Sequence, residues 1–197
     1  MKGVIDNPQT NATEVLLQDG AWFIDPRHSE IGFAAKSLGG LITVRGMFDS
    51  CDGHLKARAG AVAGELTIEA ATLDTGNEKR DRHLRSPDFF DVERHPRIVF
   101  VASEIVARDS DVAVAGELTI RGSRMRLELP VAVGRVGDSG LRLEGTASVS
   151  RHAAGMTWNW LGMVGDEVAV HAQLTLGRCA VTPLAAVSVT DTTEPTE

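Results

Sequence analysis

Four stretches of the chain alternate apolar and polar residues at every second position. They are residues 111–121, 124–133, 141–151 and 167–176. A period of two is the side-chain period of a β-strand, and it indicates strands with one face in a core and the other in water. The chain is therefore predicted to consist largely of half-buried strands.

Weaker strand patterns precede these four stretches. They lie at 22–25, 29–36, 43–48, 64–71 and 96–107. Glycine, proline and aspartate favour turns between strands. The predicted turns are Asp25-Pro26, Asp52-Gly53, Arg121-Gly122-Ser123 and Gly137-Asp138-Ser139-Gly140. About eight strands, several of them in consecutive hairpins, predict an all-β fold in the form of an antiparallel up-and-down barrel.

Residues 77–94 break the alternation and carry helix signals instead. Asn77 is a predicted N-cap with Glu78 in the first turn, and the helix is expected to stop near Ser86. Ser86-Pro87-Asp88 is a second cap signal, with proline at the first helical position. We predict a short helical insertion of one or two helices near 77–92, which could plug the barrel mouth or frame an entrance.

The two ends of the chain lack the alternation. Residues 1–19 and 181–197 are predicted to be disordered tails on one domain at 20–180. The first twenty residues contain no apolar run of the roughly 7–15 residues that a secretory signal needs. No stretch reaches the roughly 20 apolar residues of a membrane-spanning helix. We therefore expect a cytoplasmic protein that does not span a membrane.

The composition and motifs exclude several functions. The chain has 20 Lys and Arg residues against 27 Asp and Glu residues, a formal net charge of −7, so nucleic acid is not an expected partner. The six histidines show no paired metal spacing, and Cys51 and Cys179 lie far apart. The Gly-Asp-Ser-Gly peptide at 137–140 is interpreted as a hairpin turn, because no histidine context supports a serine nucleophile. We expect no cofactor, no metal and no catalytic residue.

Charged residues leave two interpretations open. The basic and acidic residues of 79–94 form either a solvated, salt-bridged surface or an entrance that holds an anionic head group through arginine forks. Arg151 continues the apolar register of 141–149 and so points inward, where an unpaired charge is costly. It is either paired for structural reasons or faces a ligand, and its small neighbours Gly145 and Ala147 leave room beside it.

Three groups of motifs resemble the YceI-like family. The central group is Asp74-Thr75-Gly76-Asn77, Arg80-Asp81-x-His83-Leu84-Arg85-Ser86-x-Asp88-Phe89-Phe90-Asp91-Val92-Glu93 and His95-Pro96-x-Ile98-x-Phe100. The opening group is Trp22-x-Ile24-Asp25-Pro26-x-His28-Ser29-x-Ile31-x-Phe33 with Val44-Arg45-Gly46-x-Phe48. The later group is Gly116-x-Leu118-Thr119-Ile120-x-Gly122 with Val164-Gly165-Asp166-Glu167-Val168. Together they extend over roughly 21–178.

This resemblance implies a lipocalin-like barrel whose interior holds a polyisoprenoid or a similar long-chain amphiphile, and it makes a homodimer an expectation. Two positions depart from the family pattern. Lys36-Ser37 stands where the family often has Lys-His, and Ala154-Gly155-Met156 where it often has Phe-Gly-Met. We expect the first change to alter the polar surroundings of the entrance. The second is expected to remove a large apolar group near the pocket wall.

From this resemblance, and because an eight-stranded barrel can hold one slim ligand, we predict that the barrel binds a long-chain isoprenoid or fatty-acyl-type lipid without catalysis. The predicted apolar pocket comprises Phe33, Phe48, Leu66, Ile68, Leu84, Phe89, Phe90, Phe100, Leu118, Ile120, Leu127, Leu129, Leu143, Met156 and Trp158. Arg80, His83 and Arg151 are predicted at the head group or entrance. Two alternatives are an enzyme acting on a lipid phosphate through Arg80, Asp81 and His83, and a filled barrel with a structural or stress-response role.

The distribution of aromatic residues favours a flexible ligand. All nine aromatics, six Phe and three Trp, lie outside residues 101–157. Three of the four alternating strands therefore present only aliphatic side chains to the interior. A planar cofactor would need stacking partners around it, whereas an aliphatic wall suits a hydrocarbon chain.

Overall fold

The computed structural model describes residues 20–58, 61–108, 111–137, 140–159 and 164–178. The predicted tails, together with Trp160 and Cys179, lie outside these ranges. Eleven β-strands and one α-helix form within them. The strands are β1 Gly20–Ile24, β2 Glu30–Ser37, β3 Ile42–Phe48, β4 Cys51–Arg58, β5 Ala61–Glu69, β6 Leu73–Asp74, β7 Arg97–Arg108, β8 Asp111–Ile120, β9 Ser123–Val136, β10 Gly140–Ser150 and β11 Val164–Arg178, and the helix is α1 Glu78–Arg85.

The strands form one closed antiparallel sheet. Its hydrogen-bonded order runs β1-β4-β5-β7-β8-β9-β10-β11, and β11 pairs back to β1. β1 and β2 lie one after the other along β11, so they act as one barrel strand broken by the short 3₁₀ turn Pro26–His28. β3 with β4, and β5 with β6, form two more interrupted strands in the same way. The result is the eight-stranded barrel that the sequence predicts.

The predicted turn at Asp52-Gly53 is wrong, and the strand that contains it was missed. Gly53 lies inside β4 and pairs with Leu66. A Cβ atom at Gly53 would overlap the Glu65 carbonyl oxygen and lie 2.8 Å from Ile24 Cδ1. Glycine is used here for close packing between neighbouring strands rather than for a turn.

Two other predicted turns join consecutive strands. Arg121 and Gly122 both have positive φ, 52° and 77°, and they link the paired residues Ile120 and Ser123. This is the two-residue hairpin geometry that matches the twist of the flanking strands. β9 and β10 pair antiparallel on either side of 137–140, which agrees with the interpretation of that peptide as a hairpin connection; Asp138 and Ser139 lie outside the described residues.

The helical insertion forms one α-helix. The Asn77 side chain accepts a hydrogen bond from the Arg80 N–H at 3.0 Å and caps α1, as predicted. The second cap signal starts no α-helix: turns follow Ser86, and Asp91 takes a positive φ of 50° that interrupts helical geometry. The Phe90 N–H bonds to the Leu84 carbonyl oxygen at 2.9 Å, so this segment folds back onto α1.

The barrel interior differs at its two ends. At the end opposite α1, Trp22 is 0% exposed and belongs to one core cluster with Leu141 and Leu176. The Arg178 guanidinium carbon lies 5.6 Å from the centre of the Trp22 ring. At the α1 end the inward side chains of β11, Val168 and Val170 among them, are only partly buried. One end of the barrel is packed solid and the other is hollow.

Trp22→Ala should lower the free energy of unfolding by about 3–5 kcal/mol, because it removes the largest side chain of the packed end and leaves a cavity. Trp22→Phe should cost less, since it keeps most of the volume and removes an indole N–H that has no hydrogen-bond partner among the described residues. Urea denaturation measures both. Phe23→Ala is the matched control, because Phe23 is 51% exposed. An equal loss of stability in the control would contradict the interpretation that Trp22 fills, and so plugs, the packed end of the barrel.

Candidate ligand-binding cavity

The hollow end of the barrel encloses a cavity of about 320 Å³. This is near the lower end of the roughly 300–1,000 Å³ typical of small-molecule pockets. Its wall is almost wholly apolar. The titratable side chains among the lining residues are Lys36, Arg80, Arg151, His83 and His171, so none of the described lining residues is a carboxylate.

One side of the cavity is aromatic. Phe33 on β2, Phe48 on β3 and Phe90 after α1 form a cluster. The ring centroids are 5.7 Å apart for Phe33 and Phe48, 5.8 Å for Phe48 and Phe90, and 6.5 Å for Phe33 and Phe90. These spacings lie in the range of favourable aromatic pairs. The cluster fastens the insertion to the barrel wall.

The opposite side of the cavity is aliphatic. Leu118, Leu127, Val149 and Val168 contribute to it from β8, β9, β10 and β11 respectively. Each occupies an inward position of an alternating strand. This wall follows from the absence of aromatic residues between 101 and 157, and its side chains can adapt to a flexible chain.

A second ring cluster bridges the cavity mouth. The His83 ring meets Phe89 and Trp158 edge-on, with centroids 5.1 Å and 4.6 Å away, and Phe89 and Trp158 lie 5.3 Å apart. His83 and Phe89 belong to the insertion, whereas Trp158 follows β10. The cluster therefore connects the insertion to the far rim of the barrel.

The Arg80, Asp81 and His83 side chains are engaged separately. Asp81 is buried and accepts hydrogen bonds from the Thr75 N–H, at 3.1 Å, and from the Thr75 hydroxyl. Arg80 donates from Nε to Thr75 Oγ1 at 2.7 Å and from Nη2 to the Thr75 carbonyl oxygen at 2.8 Å. His83 Nε2 lies 3.1 Å from Asp88 Oδ2. Arg80 and Asp81 thus hold the loop before α1, and His83 has a different carboxylate partner.

Arg151 is buried, 4% exposed, and its guanidinium is held by backbone carbonyl oxygens. Nε donates to Gly165 at 3.0 Å, and Nη2 donates to Val164 at 3.3 Å. Nη1 donates to Met156 at 2.6 Å and to Trp158 at 3.0 Å. These bonds tie the connection after β10 to the start of β11. They agree with the structural interpretation of Arg151, which also borders the cavity.

A surface cluster supports the same connection from outside. The His152 N–H donates to Asp166 Oδ1 at 3.0 Å, and the Ser150 hydroxyl donates to Asp166 Oδ2 at 2.8 Å. These hydrogen bonds hold the pKa of the Asp166 carboxyl below its ordinary value of 3.8. His152 Nδ1 also lies 2.5 Å from Asp166 Oδ1.

Most of the predicted site residues lie at the cavity wall. The predicted residues that line it are Phe33, Phe48, Leu66, Ile68, Leu84, Phe89, Phe90, Phe100, Leu118, Ile120, Leu127, Leu129, Met156, Arg80, His83 and Arg151. Trp158 is not among them and contacts His83 and Phe89 instead. Leu143 is buried toward the packed end, where it pairs with Leu174 and Val133.

Several wall residues were missed by the sequence analysis. They include Ile31, Ala35, Val44, Ile98, Val149, Val168, Val170 and Ala172. The same period of two marks them as inward-facing, but it does not tell how far along the barrel each one lies. Ala154 and the Lys36-Ser37 pair, where the chain departs from the resembled pattern, also line the cavity.

Comparison with known proteins decides the family. Residues 22–176 match the YceI-like domain. The chain belongs to the YceI-like family. A UPF0312 protein from Photorhabdus laumondii is 32% identical over 115 residues, which are 57% of this YceI-like chain and 59% of the relative. The matched part thus spans less than two thirds of that relative's length.

Solved structures share the barrel. BcnA from Burkholderia cenocepacia superposes with a TM-score of 0.70 at 24% identity, over 77% of this chain and 98% of BcnA. A polyisoprenoid binding domain from Saccharophagus degradans superposes with a TM-score of 0.67 at 15% identity, over 81% of this chain and 99% of that domain. At these identities the likeness establishes the fold of the YceI-like chain.

The described residues contain no group of three or more His, Cys, Asp or Glu side chains placed to hold a metal ion. Within those same ranges, none of the helical structure is both long enough and apolar enough to cross a bilayer.

Burial raises the pKa of the Cys51 thiol, which keeps this free cysteine protonated at neutral pH.

Arg151→Met in this YceI-like chain should lower the free energy of unfolding by about 3 kcal/mol or more, because it leaves several part-buried carbonyl oxygens without donors. Arg142→Met is the matched control, since Arg142 is exposed on β10. Urea denaturation and hydrogen exchange over 151–159 measure the effect. A loss no larger than that of the control would show that Arg151 does not hold the connection.

Asp166→Asn should destabilise the protein at neutral pH and lose its effect in acid. A carboxyl whose folded pKa is lowered stabilises the fold above its unfolded pKa, and that stabilisation disappears as pH falls through the folded value. The difference between wild type and variant should therefore shrink below pH 3.8. Urea midpoints across the acid range measure it, with the exposed Glu144→Gln as control. A difference independent of pH would contradict this role.

Proposed function

We propose that the barrel binds and sequesters, or transports, a long-chain polyisoprenoid or a similar amphiphilic lipid without catalysis. The observation that carries the proposal is the apolar cavity of about 320 Å³ in the hollow half of the barrel. A structure with the same fold is described as a polyisoprenoid binding domain from Saccharophagus degradans, and this description supports a polyisoprenoid as the class of ligand.

The tail of the ligand would lie along the aliphatic wall. Leu66, Leu118 and Leu127 line the cavity from the barrel strands, and Trp22 fills the barrel at the opposite, packed end. Each buried methylene contributes about 0.8 kcal/mol. About ten methylenes would therefore contribute roughly 8 kcal/mol before ordering costs are subtracted. Apolar burial thus supplies a favourable term that is comparable in size to the cost of association.

The polar head would lie at the mouth. Lys36, Arg80, His83 and Arg151 line the cavity, and we propose that they surround its mouth. Arginine and lysine only donate hydrogen bonds, so this rim favours a head group rich in acceptor oxygens. We propose Arg80, His83 and Arg151 as the residues nearest the head group, with the thirteen predicted apolar residues that line the cavity around the tail.

Binding without reaction is the part of the proposal that the polar contacts support. Arg80 and Asp81 are both bonded to Thr75, and His83 is paired with Asp88. The alternative lipid-phosphate enzyme would need these three residues to act together, whereas Arg80 and Asp81 fix the loop before α1 and His83 is engaged elsewhere. The cavity also argues against the second alternative, a completely filled barrel. The cytoplasmic location and the homodimer stay predictions.

Extraction of the natively purified full chain with organic solvent, followed by mass spectrometry, tests the proposal. We expect a prenyl or acyl lipid in stoichiometric amount, or saturable uptake of added prenyl lipid by the emptied protein. Absence of both would overturn the proposed function.

Ala172→Phe should reduce lipid uptake at least tenfold. Ala172 lines the cavity from β11, so a phenyl ring there occupies the space of the tail. Ala169→Phe is the matched control, because Ala169 lies on the exposed face of the same strand. A fluorescent prenyl or acyl probe measures uptake, and thermal unfolding checks that both variants fold. Equal uptake by the two variants would place the ligand outside this cavity.

A further inference from the structure

The connection between β2 and β3 presents apolar side chains to water. We name residues 38–42, Leu-Gly-Gly-Leu-Ile, the apolar tip. Leu41 is 89% exposed, Ile42 48% and Leu38 42%. Three of the seven exposed large hydrophobic residues in the described part of the chain fall within these five positions. Clusters of this kind mark interaction surfaces more often than scattered apolar residues do.

The backbone of the apolar tip is held in a defined shape away from the barrel. Leu38, Gly39 and Gly40 have φ values of 52°, 67° and 94°, and the Leu41 N–H bonds to the Leu38 carbonyl oxygen at 3.3 Å. Glycine takes positive φ freely, but leucine rarely does. A Cβ atom at either glycine would meet nothing within 4 Å. The tip therefore projects from the barrel.

The charged residues that flank the apolar tip along β2 and β3 are positive, whereas the nearest acidic residues, Asp166 and Glu167 on the paired strand β11, accept hydrogen bonds from the β10 side. No Asp or Glu occurs between Glu30 and Asp49, although the whole chain carries 27 of them and a net charge of −7. Lys36 and Arg45 flank the tip, and both are exposed. An apolar protrusion between cations matches a bilayer that contains anionic lipids, because the apolar groups enter the interface and the cations meet the head groups.

The apolar tip is continuous with the cavity mouth. Lys36 and Ser37 precede it and Val44 follows it, and all three line the cavity. A surface held by the tip would thus lie against the opening. A lipid chain could then pass between bilayer and barrel with little of its length in water.

We propose that the apolar tip docks the barrel mouth onto the surface of a bilayer that carries anionic lipids. Leu38, Leu41 and Ile42 enter the interface, and Lys36 and Arg45 contact the head groups. Three side chains give weak, reversible attachment, which suits a protein that must also leave the surface. The docking rests on the proposed function for its purpose, and vesicle binding can be measured whether or not the cavity is filled.

Flotation of the full chain with vesicles tests the proposal. We expect binding to phosphatidylcholine vesicles that contain phosphatidylglycerol, weaker binding to phosphatidylcholine alone, and loss of the difference at high salt. Leu41→Ser should weaken partitioning about tenfold, because it removes a large apolar contact with the interface. Arg45→Glu should weaken binding to the anionic vesicles only.

Two matched controls lie away from the apolar tip. Phe23→Ser removes an exposed apolar side chain at the packed end of the barrel, and Arg142→Glu makes the same charge change as Arg45→Glu on the exposed face of β10. Both controls should bind vesicles like the wild type. Equal losses in controls and tip variants would overturn the docking proposal, as would absence of vesicle binding in the wild type.

Lipid uptake separates failure of docking from failure of the proposed function. None of the three large side chains of the apolar tip lines the described cavity, so Leu41→Ser should take up lipid delivered from ethanol as the wild type does, while its transfer to vesicles slows. Normal uptake without vesicle binding would leave the proposed function intact and overturn docking. Self-association that depends on Leu41, found by light scattering in place of vesicle binding, would assign the tip to a second copy of the chain.

Discussion

Closure of the sheet is the constraint on which the rest of the molecule depends. β1 is only five residues long, yet it pairs with β4 on one side and β11 on the other. Through it the strands form a ring in which, at the level of β1, each strand pairs with both of its neighbours. Trp22, in the middle of this strand, fills the interior at the same level. The residue that plugs the barrel thus lies on the strand that closes it.

Closure also fixes where space remains. Beyond the level of Trp22 the inward side chains of the later strands are aliphatic and do not meet across the axis, so the barrel stays hollow there. The insertion covers part of this space through Phe90 and Phe89. Phe90 packs with Phe33 and Phe48 on the wall, and Phe89 packs with His83 and Trp158 at the rim. Aromatic contacts thus close the cavity at the insertion and along β2 and β3, and mainly aliphatic side chains line the rest of its wall.

Polar interactions shape the rim rather than the interior. Thr75 is hydrogen-bonded to both Arg80 and Asp81 at the start of α1, and Arg151 donates hydrogen bonds to carbonyl oxygens at the start of β11. Both arrangements use a buried or half-buried charge to fix loop backbone. They leave cationic groups beside an apolar cavity with no carboxylate among its described lining residues.

The alternating pattern predicted β8 to β11 and the closed antiparallel fold, because a period of two survives wherever one face is buried and the other wet. It failed for β4, where Gly53 serves interstrand packing and imitates a turn signal. Inward direction was predictable for most cavity residues, but depth was not: Leu143 shares the inward register of Val149, yet lies in the packed end. The partners of Arg151 were also beyond the sequence, because backbone carbonyl oxygens belong to every residue.

The plug at Trp22 has a kinetic consequence. In a tunnel open at both ends an incoming molecule could push the occupant out at the far side. In a cavity closed at one end, an incoming lipid and a bound lipid would use the same opening, so the bound lipid would have to leave first. Exchange should then proceed at the rate of spontaneous release, and raising the concentration of a competitor should not hasten it.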